Sequence, residues 1–592
     1  MENLIIQTIS NSSYLKAGFT SSGYSFYFDC TDYLNHSEYG IILWNIKSGE
    51  EIARIPFKAE NRFGNLFSCV LNGFDASKMA YAFYCDEVIV TDIRAEKYID
   101  IPEYGYFDKA EYLKAGFSSE YDWGDDKCPN IPYEKAFIYL LHTRGFTKSS
   151  TSGTKYKGTF RGVADKLDYL KNLGVTTIEF QPVNEFNECD KKTKRLNYWG
   201  YCGGLYYSPK SAYSYSKDPQ SEFSDMVKAV HNKGMEVVLQ MFFPVDFNAA
   251  EIPSILEFWA TRYHVDGFHL MGENISLNMI DNSPVLKNVK IFADNIYGVK
   301  DISAVHTVTK PFVKRYATVR DEYLYNLRRF LKADENSLCD AVKAMRNNPD
   351  GNAVINYFST FNSFTLFDMV SYDHKHNEAN GEDNTDGNDF NCSWNCGEEG
   401  PSKKQAIIKL RKKQIKNALT LLLLSSGTPM IYMGDEFGDS RMGNNNPYCI
   451  DDQSSWLDWK GLNKQFNMTE LIQTLLKLRK EKQIFESAKE LSMLDVSGCG
   501  FPEISYHGES AWKAQLEGYR HNIGVMYCDN GQLLYAGINM HWEKEYLSLP
   551  RAPKGCEWEL IMASDDKVSI DEDLRISVPE RSIVIYKTVK RL

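Results

Sequence analysis

A multidomain α/β chain is predicted, with a central (β/α)8 (TIM) barrel between an N-terminal β-sandwich and a C-terminal antiparallel β-domain. Three observations lead there. The 592 residues exceed what one hydrophobic core usually organises. Both ends of the chain read as short alternating segments broken by Gly, Asn, Asp and Ser. Between them, apolar strand-like runs alternate with amphipathic helical stretches, the pattern of parallel βα units. The expected domain bounds are 1–103, 104–480 and 481–592.

In chain order, YSFYF at 24–28, GIILWNI at 40–46 and MAYAFYC at 79–85 carry the first β-domain. From Lys135 the period changes. FIYLLHTRGFT is a buried strand with its exit loop, and FRGVADKLDYLKNLG is an amphipathic helix ending at Gly174. VTTIEFQPVNEF supplies the next strand, followed by SEFSDMVKAVHNKG (helix), MEVVLQMFF (strand), IPSILEFWATRYH (helix) and VDGFHLM (strand). VKIFAD, AVINYFS and TPMIYMGDE continue the series, close to the count an eight-stranded barrel requires. The sixth strand has the weakest signature. It is placed just before Arg320, because RDEYLYNLRRFLKAD reads as the helix that follows it. HNIGVMYC, QLLYAGINM and RSIVIYK return to β-patterning.

Composition narrows the partners. A net charge of −12 argues against nucleic acid, whose phosphate backbone calls for a basic face. MENLIIQTISNSSYLKAG has an acidic second residue and no basic region, so no secretory signal is expected. No apolar run reaches spanning length, so no membrane partner is expected either. A cytoplasmic location follows as an expectation, and the thirteen cysteines are then most simply free thiols. No cofactor and no metal is expected.

The segment INYFSTFNSFTLFDMVSYDHKHNEANGEDNTDGNDFNCSWNCGEEGP, followed by SSGTPMIYMGDEFG, GNNNPYC and SWLDW, closely resembles the isoamylase and glycogen-debranching branch of the α-amylase superfamily. The resemblance is strong from Ala136 to Trp459. It extends through PEISYHG and INMHWEKEYLSLP into the last domain, and by pattern into the first, which resembles the carbohydrate-binding module of isoamylases. It implies an α-glucan ligand and a retaining glycosidase site. Such a site needs a carboxylate nucleophile and a protonated carboxylic acid about 5–5.5 Å apart, set at the C-terminal ends of barrel strands.

The resemblance also implies that this chemistry is gone. YHVDGFHLM matches the family's YHVDGFRFD, so His269 stands for its Arg and Met271 for the nucleophilic Asp. A thioether cannot form a glycosyl ester. Asp294 stands for the acid/base Glu, keeping a carboxyl but shortening its reach by about one methylene, and displacements near 1 Å can cost roughly 10²-fold in rate. Phe361 and Asn362 stand for the His-Asp pair that holds the sugar and stabilises the transition state. Gln240, Pro244 and Val245 replace the Asp, Asn and His that support the first glucose subsite. The family's long wall loop has almost no room between Val245 and Phe258.

Other candidates have plainer explanations. His374, His376 and Glu378 fall in DHKHNEANGE, which matches a structural loop of the family rather than zinc-ligand spacing. Cys392 and Cys396 read as buried thiols. Asp435 and Glu436 of MGDEFG match family scaffold. Trp199 and Tyr201 of NYWGY remain candidates for stacking on sugar faces, with core packing equally open for Trp199. The preferred function is therefore a non-catalytic, glucan-binding or partner subunit; the resemblance implies an active debranching enzyme as the partner, since families of this type include such members. Alternatives are a weak or altered α-1,6-glucosidase and an oligomerisation scaffold without sugar affinity.

Overall fold

The computed structural model describes residues 7–9, 18–20, 23–99, 101, 103–106, 112–190, 193–294, 314–565 and 567–591. The chain divides into two compact units. One comprises 1–125 with 183–195 and 202–225, and the other holds the rest.

The first unit is built on two antiparallel sheets. One orders Gln7–Ile9, Leu66–Asn72, Gly23–Asp29 and Gly18–Thr20. The other orders Tyr98–Ile99, Lys114–Gly116, Met79–Cys85, Tyr39–Asn45 and Glu51–Pro56. Their inward residues share one core, with the Phe28 and Phe83 ring centroids 4.7 Å apart and Phe26 edge-on to Tyr81 at 5.0 Å. Lys114–Gly116 pairs with both Tyr98–Ile99 and Met79–Cys85, so the sheet runs past the expected boundary at residue 103. The same unit buries Lys210 between the carboxylates of Glu185 and Glu188, with its ammonium 2.8 Å from the Phe186 carbonyl.

In the second unit eight parallel strands close into a barrel: β1 Ile138–Leu141, β2 Thr177–Phe180, β3 Glu236–Phe242, β4 Gly267–Met271, β5 Lys290–Ala293, β6 Tyr316–Val319, β7 Ala353–Asn356 and β8 Thr428–Tyr432. β1 pairs with β8 to complete the ring. Almost every strand residue is buried, as expected where helices cover the outer face. The sixth strand lies where the sequence placed it, directly before Arg320. The helix Asp321–Lys332 that follows opens on Asp321 and Glu322 and closes on Arg329 and Lys332, charges that complement its dipole.

Between β3 and the helix Ile252–Arg262 only residues 243–251 intervene, and Val245 there is 67% exposed. The wall loop that the resemblance calls for is thus replaced by a short turn. Gly272, just past β4, has φ +128°, and a Cβ there would fall 2.1 Å from the Phe243 carbonyl oxygen, so this turn and the end of β4 are held close. The last region pairs Ile504–His507, Asn522–Asp529, Gln532–Asn539, Ser582–Lys590 and Cys556–Ala563 into one antiparallel sheet, beside a three-stranded one. Among the described residues no helix is long and apolar enough to cross a membrane.

Candidate functional site

A cavity of about 540 Å³ opens at the C-terminal end of the barrel, lined by His269, Met271, Asp294, Asp321, Tyr357, Phe361 and Asn362 among others. This is where a (β/α)8 enzyme keeps its reacting groups. Met271 ends β4 and presents no charge. Asp294 follows β5 with its side chain 68% exposed, and its Oδ1 lies 3.9 Å from His269 Nε2. Asn362 is exposed at the mouth.

Behind the cavity sits a buried polar layer. Glu179 Oε1, on β2, accepts from Gln240 Nε2 at 2.6 Å and lies 2.7 Å from His269 Nδ1. Tyr201 donates to Gln240 Oε1 at 2.5 Å and receives the Gln181 amide at 3.2 Å. Burial alone would drive the His269 imidazole toward neutrality. The Glu179 charge, helped by Asp294, outweighs it and raises the pKa to about 9, so His269 is a cation at neutral pH. The charge that an arginine would carry permanently is here carried by a group that can lose it.

The loop after β7 brings Phe361 into an aromatic cluster. Its ring stacks on Tyr201 at 4.7 Å and meets Trp199 edge-on at 5.1 Å, while Trp199 is itself 6% exposed. Of the two roles open to Trp199 in the sequence, the observed packing corresponds to the core one. The loop is fixed from behind by Arg328, fully buried, which donates Nε to the Phe358 carbonyl at 2.8 Å, Nη2 to that of Phe364 at 3.0 Å and Nη1 to that of Asn391 at 2.9 Å. Asp435 accepts from the Leu366 amide at 2.9 Å and from the Ser359 hydroxyl. Burial lifts the Asp435 carboxyl to about 6 and that of Glu436 to about 7, and Glu436 accepts from Tyr139 at 2.9 Å and Tyr169 at 2.8 Å. Both acids are engaged in scaffold.

The cavity is lined by the carboxylates of Asp294, Asp321 and Glu322 together with the His269 imidazole and the Met271 thioether. Position 271 offers no carboxylate, and the buried carboxylate of Glu179 is engaged by Gln240 and His269. Glu179 and Arg328 were missed in the sequence. A carboxylate inside the apolar run TIEF was the available signal for Glu179, since it is costly to bury unpaired. Of the dismissed metal candidates, His376 lies 3.3 Å from Glu399. Elsewhere Cys128, His231 and Asp266 bring ligand atoms within 4.8 Å, and both ring nitrogens of His231 are already engaged, by Asp126 at 3.0 Å and Asp266 at 2.9 Å.

Residues 139–244 match the family model described as the α-amylase catalytic domain. The chain is 27% identical to isoamylase SU1 of Zea mays over 89% of this chain and 80% of that protein. It is 30% identical to the glycogen operon protein GlgX homologue of Haemophilus influenzae over 62% of this chain and 66% of that protein. These matches support the isoamylase and glycogen-debranching branch. The fold agrees with solved structures in that branch's neighbourhood. The pullulanase SAP of group B Streptococcus, in complex with maltotetraose, superposes with a TM-score of 0.74 at 15% identity, covering 98% of this chain and 88% of that one. The catalytic module of the pneumococcal glycogen-degrading factor SpuA gives 0.75 at 16% identity, covering 98% and 97%.

Proposed function

We propose that this chain is a non-catalytic member of the debranching branch, a cytoplasmic glucan-binding or partner subunit of glycogen or starch metabolism. Met271 carries the proposal: a thioether lines the cavity at the strand end where a retaining glycosidase needs its nucleophile. Phe361 and the short 243–251 turn add to it, because the first fills space against Trp199 and Tyr201 and the second is too short to supply the wall loop that the resemblance calls for. Glucan association is supported by the relatives, whose names speak of isoamylase activity, glycogen and maltotetraose. The partner would be an active debranching enzyme.

Two measurements test the reading together. Purified protein incubated with glycogen, amylopectin or pullulan should release no reducing ends above buffer, while glycogen cast in a native gel should retard it. Turnover that follows protein concentration through repurification would overturn the first half, and unretarded migration the second. A weak or altered glycosidase is the second reading, favoured by one observation: Asp294 keeps a carboxylate in the cavity near the His269 cation. Product configuration would identify it, since a surviving activity must either retain or invert the anomeric centre.

A further inference from the structure

Two thiols lie in contact in the C-terminal region. Cys499 Sγ and Cys528 Sγ are 3.4 Å apart, although 29 positions separate them in the chain. Cys528 is buried on the strand Asn522–Asp529. Cys499 sits on a partly exposed turn shaped to face it. The Asp495 carboxylate accepts from the Cys499 amide at 3.1 Å and the Gly500 amide at 2.7 Å, and Gly498 and Gly500 adopt φ of +71° and +91°. Cys499 and Phe501 then fold onto the apolar core that contains Cys528. A disulfide bond is about 2.0 Å long, so joining these sulfurs requires a small closure by a turn that solvent can reach.

We propose that Cys499 and Cys528 form a reversible dithiol–disulfide pair, oxidised by a low-molecular-weight disulfide. The two thiols have different roles. The Ser497 hydroxyl, chiefly, holds the Cys499 thiol below its ordinary pKa, whereas burial pushes Cys528 up to about 12. Cys499 is therefore the attacking thiolate. It displaces one thiolate from the reagent and becomes a mixed disulfide. Cys528 then gives up its proton and attacks Cys499 Sγ, expelling the second thiolate. In total two protein thiols are oxidised and one small disulfide is reduced to two thiols. The product ties down the turn that exposes Leu494 and Val496, at 75% and 59%, so oxidation would change how that apolar turn is presented.

The test uses the full chain and oxidised glutathione. After treatment, thiol counting should show two of the thirteen cysteines lost. Peptide mapping should show the segments holding Cys499 and Cys528 joined, and dithiothreitol should separate them. In Cys528→Ser the reaction should stop at a stable glutathione adduct on Cys499. Wild-type protein that keeps all its thiols, or that retains the adduct on Cys499 with Cys528 free, would overturn the proposal. Neither of those readings depends on a variant folding normally.

Discussion

The His269–Glu179 pair should make stability fall in alkaline solution. The folded imidazole is raised from 6.5 to about 9, so its stabilisation is complete below 6.5 and is lost as pH rises through about 9. That rise corresponds to about 3 kcal/mol. A single His269 substitution would leave the Glu179 carboxylate buried without a cation, which is itself destabilising. The better reference is the paired variant Glu179→Gln with His269→Gln, which removes both charges and keeps hydrogen-bonding capacity beside Gln240. Urea unfolding followed by tryptophan fluorescence, repeated from below 6.5 to above 9, should show the wild type losing roughly 3 kcal/mol more than the paired variant. Absolute stability at neutral pH is not the readout, because neutral replacements of a buried pair can be as stable as the pair itself. Parallel pH curves for the two proteins would refute the assignment of a charged imidazole at the head of the barrel.

Further outcomes follow from the same packing. Phe361→Ala removes a ring held between Trp199 and Tyr201 and should cost about 3 kcal/mol in chemical denaturation; a cost within a few tenths would mean that the cluster collapses freely or is not formed. Lys210→Met leaves Glu185 and Glu188 buried without their cation and should destabilise by about 3–5 kcal/mol, with the loss partly recovered on also changing Glu185 and Glu188 to Gln. On the proposed reading, the fourfold change Met271→Asp, Asp294→Glu, Asn362→Asp and His269→Arg should stay near background in debranching assays, since Gln240, Pro244, Val245 and Phe361 remain in place and positioning supplies roughly 7–11 kcal/mol of such a barrier. Robust activity of that variant would show that a competent cleft survives.

Much of the barrel was legible because parallel strands buried on both faces read as short apolar runs set between helices. Tyr316–Val319 was the exception. It is only four residues long, and the helix after it located it better than its own composition did. The first domain boundary was misplaced because Lys114–Gly116 is a three-residue strand whose partners lie earlier in the chain, and pairing at a distance leaves no periodicity to read. The positions facing the cavity could be named from the resemblance. Their partners could not, since the Glu179–His269 contact joins residues on separate strands and Arg328 acts on carbonyls that carry no side-chain signature. Trp199 shows the same boundary: an indole reads alike as a platform or as filler until its neighbours are known.

The way the loop after β7 is anchored bears on how such a chain can change over time. Arg328 and Asp435 grip it largely through main-chain carbonyl and amide groups that any sequence possesses, with the Ser359 hydroxyl as a further partner of Asp435. Side chains that point toward the opening, Phe361 and Asn362 among them, contribute little to that grip. Exchanges there can abolish a reaction while the backbone keeps its course. Reactivity and shape are thus separable properties in this barrel, and selection could relax on one while it still acted on the other.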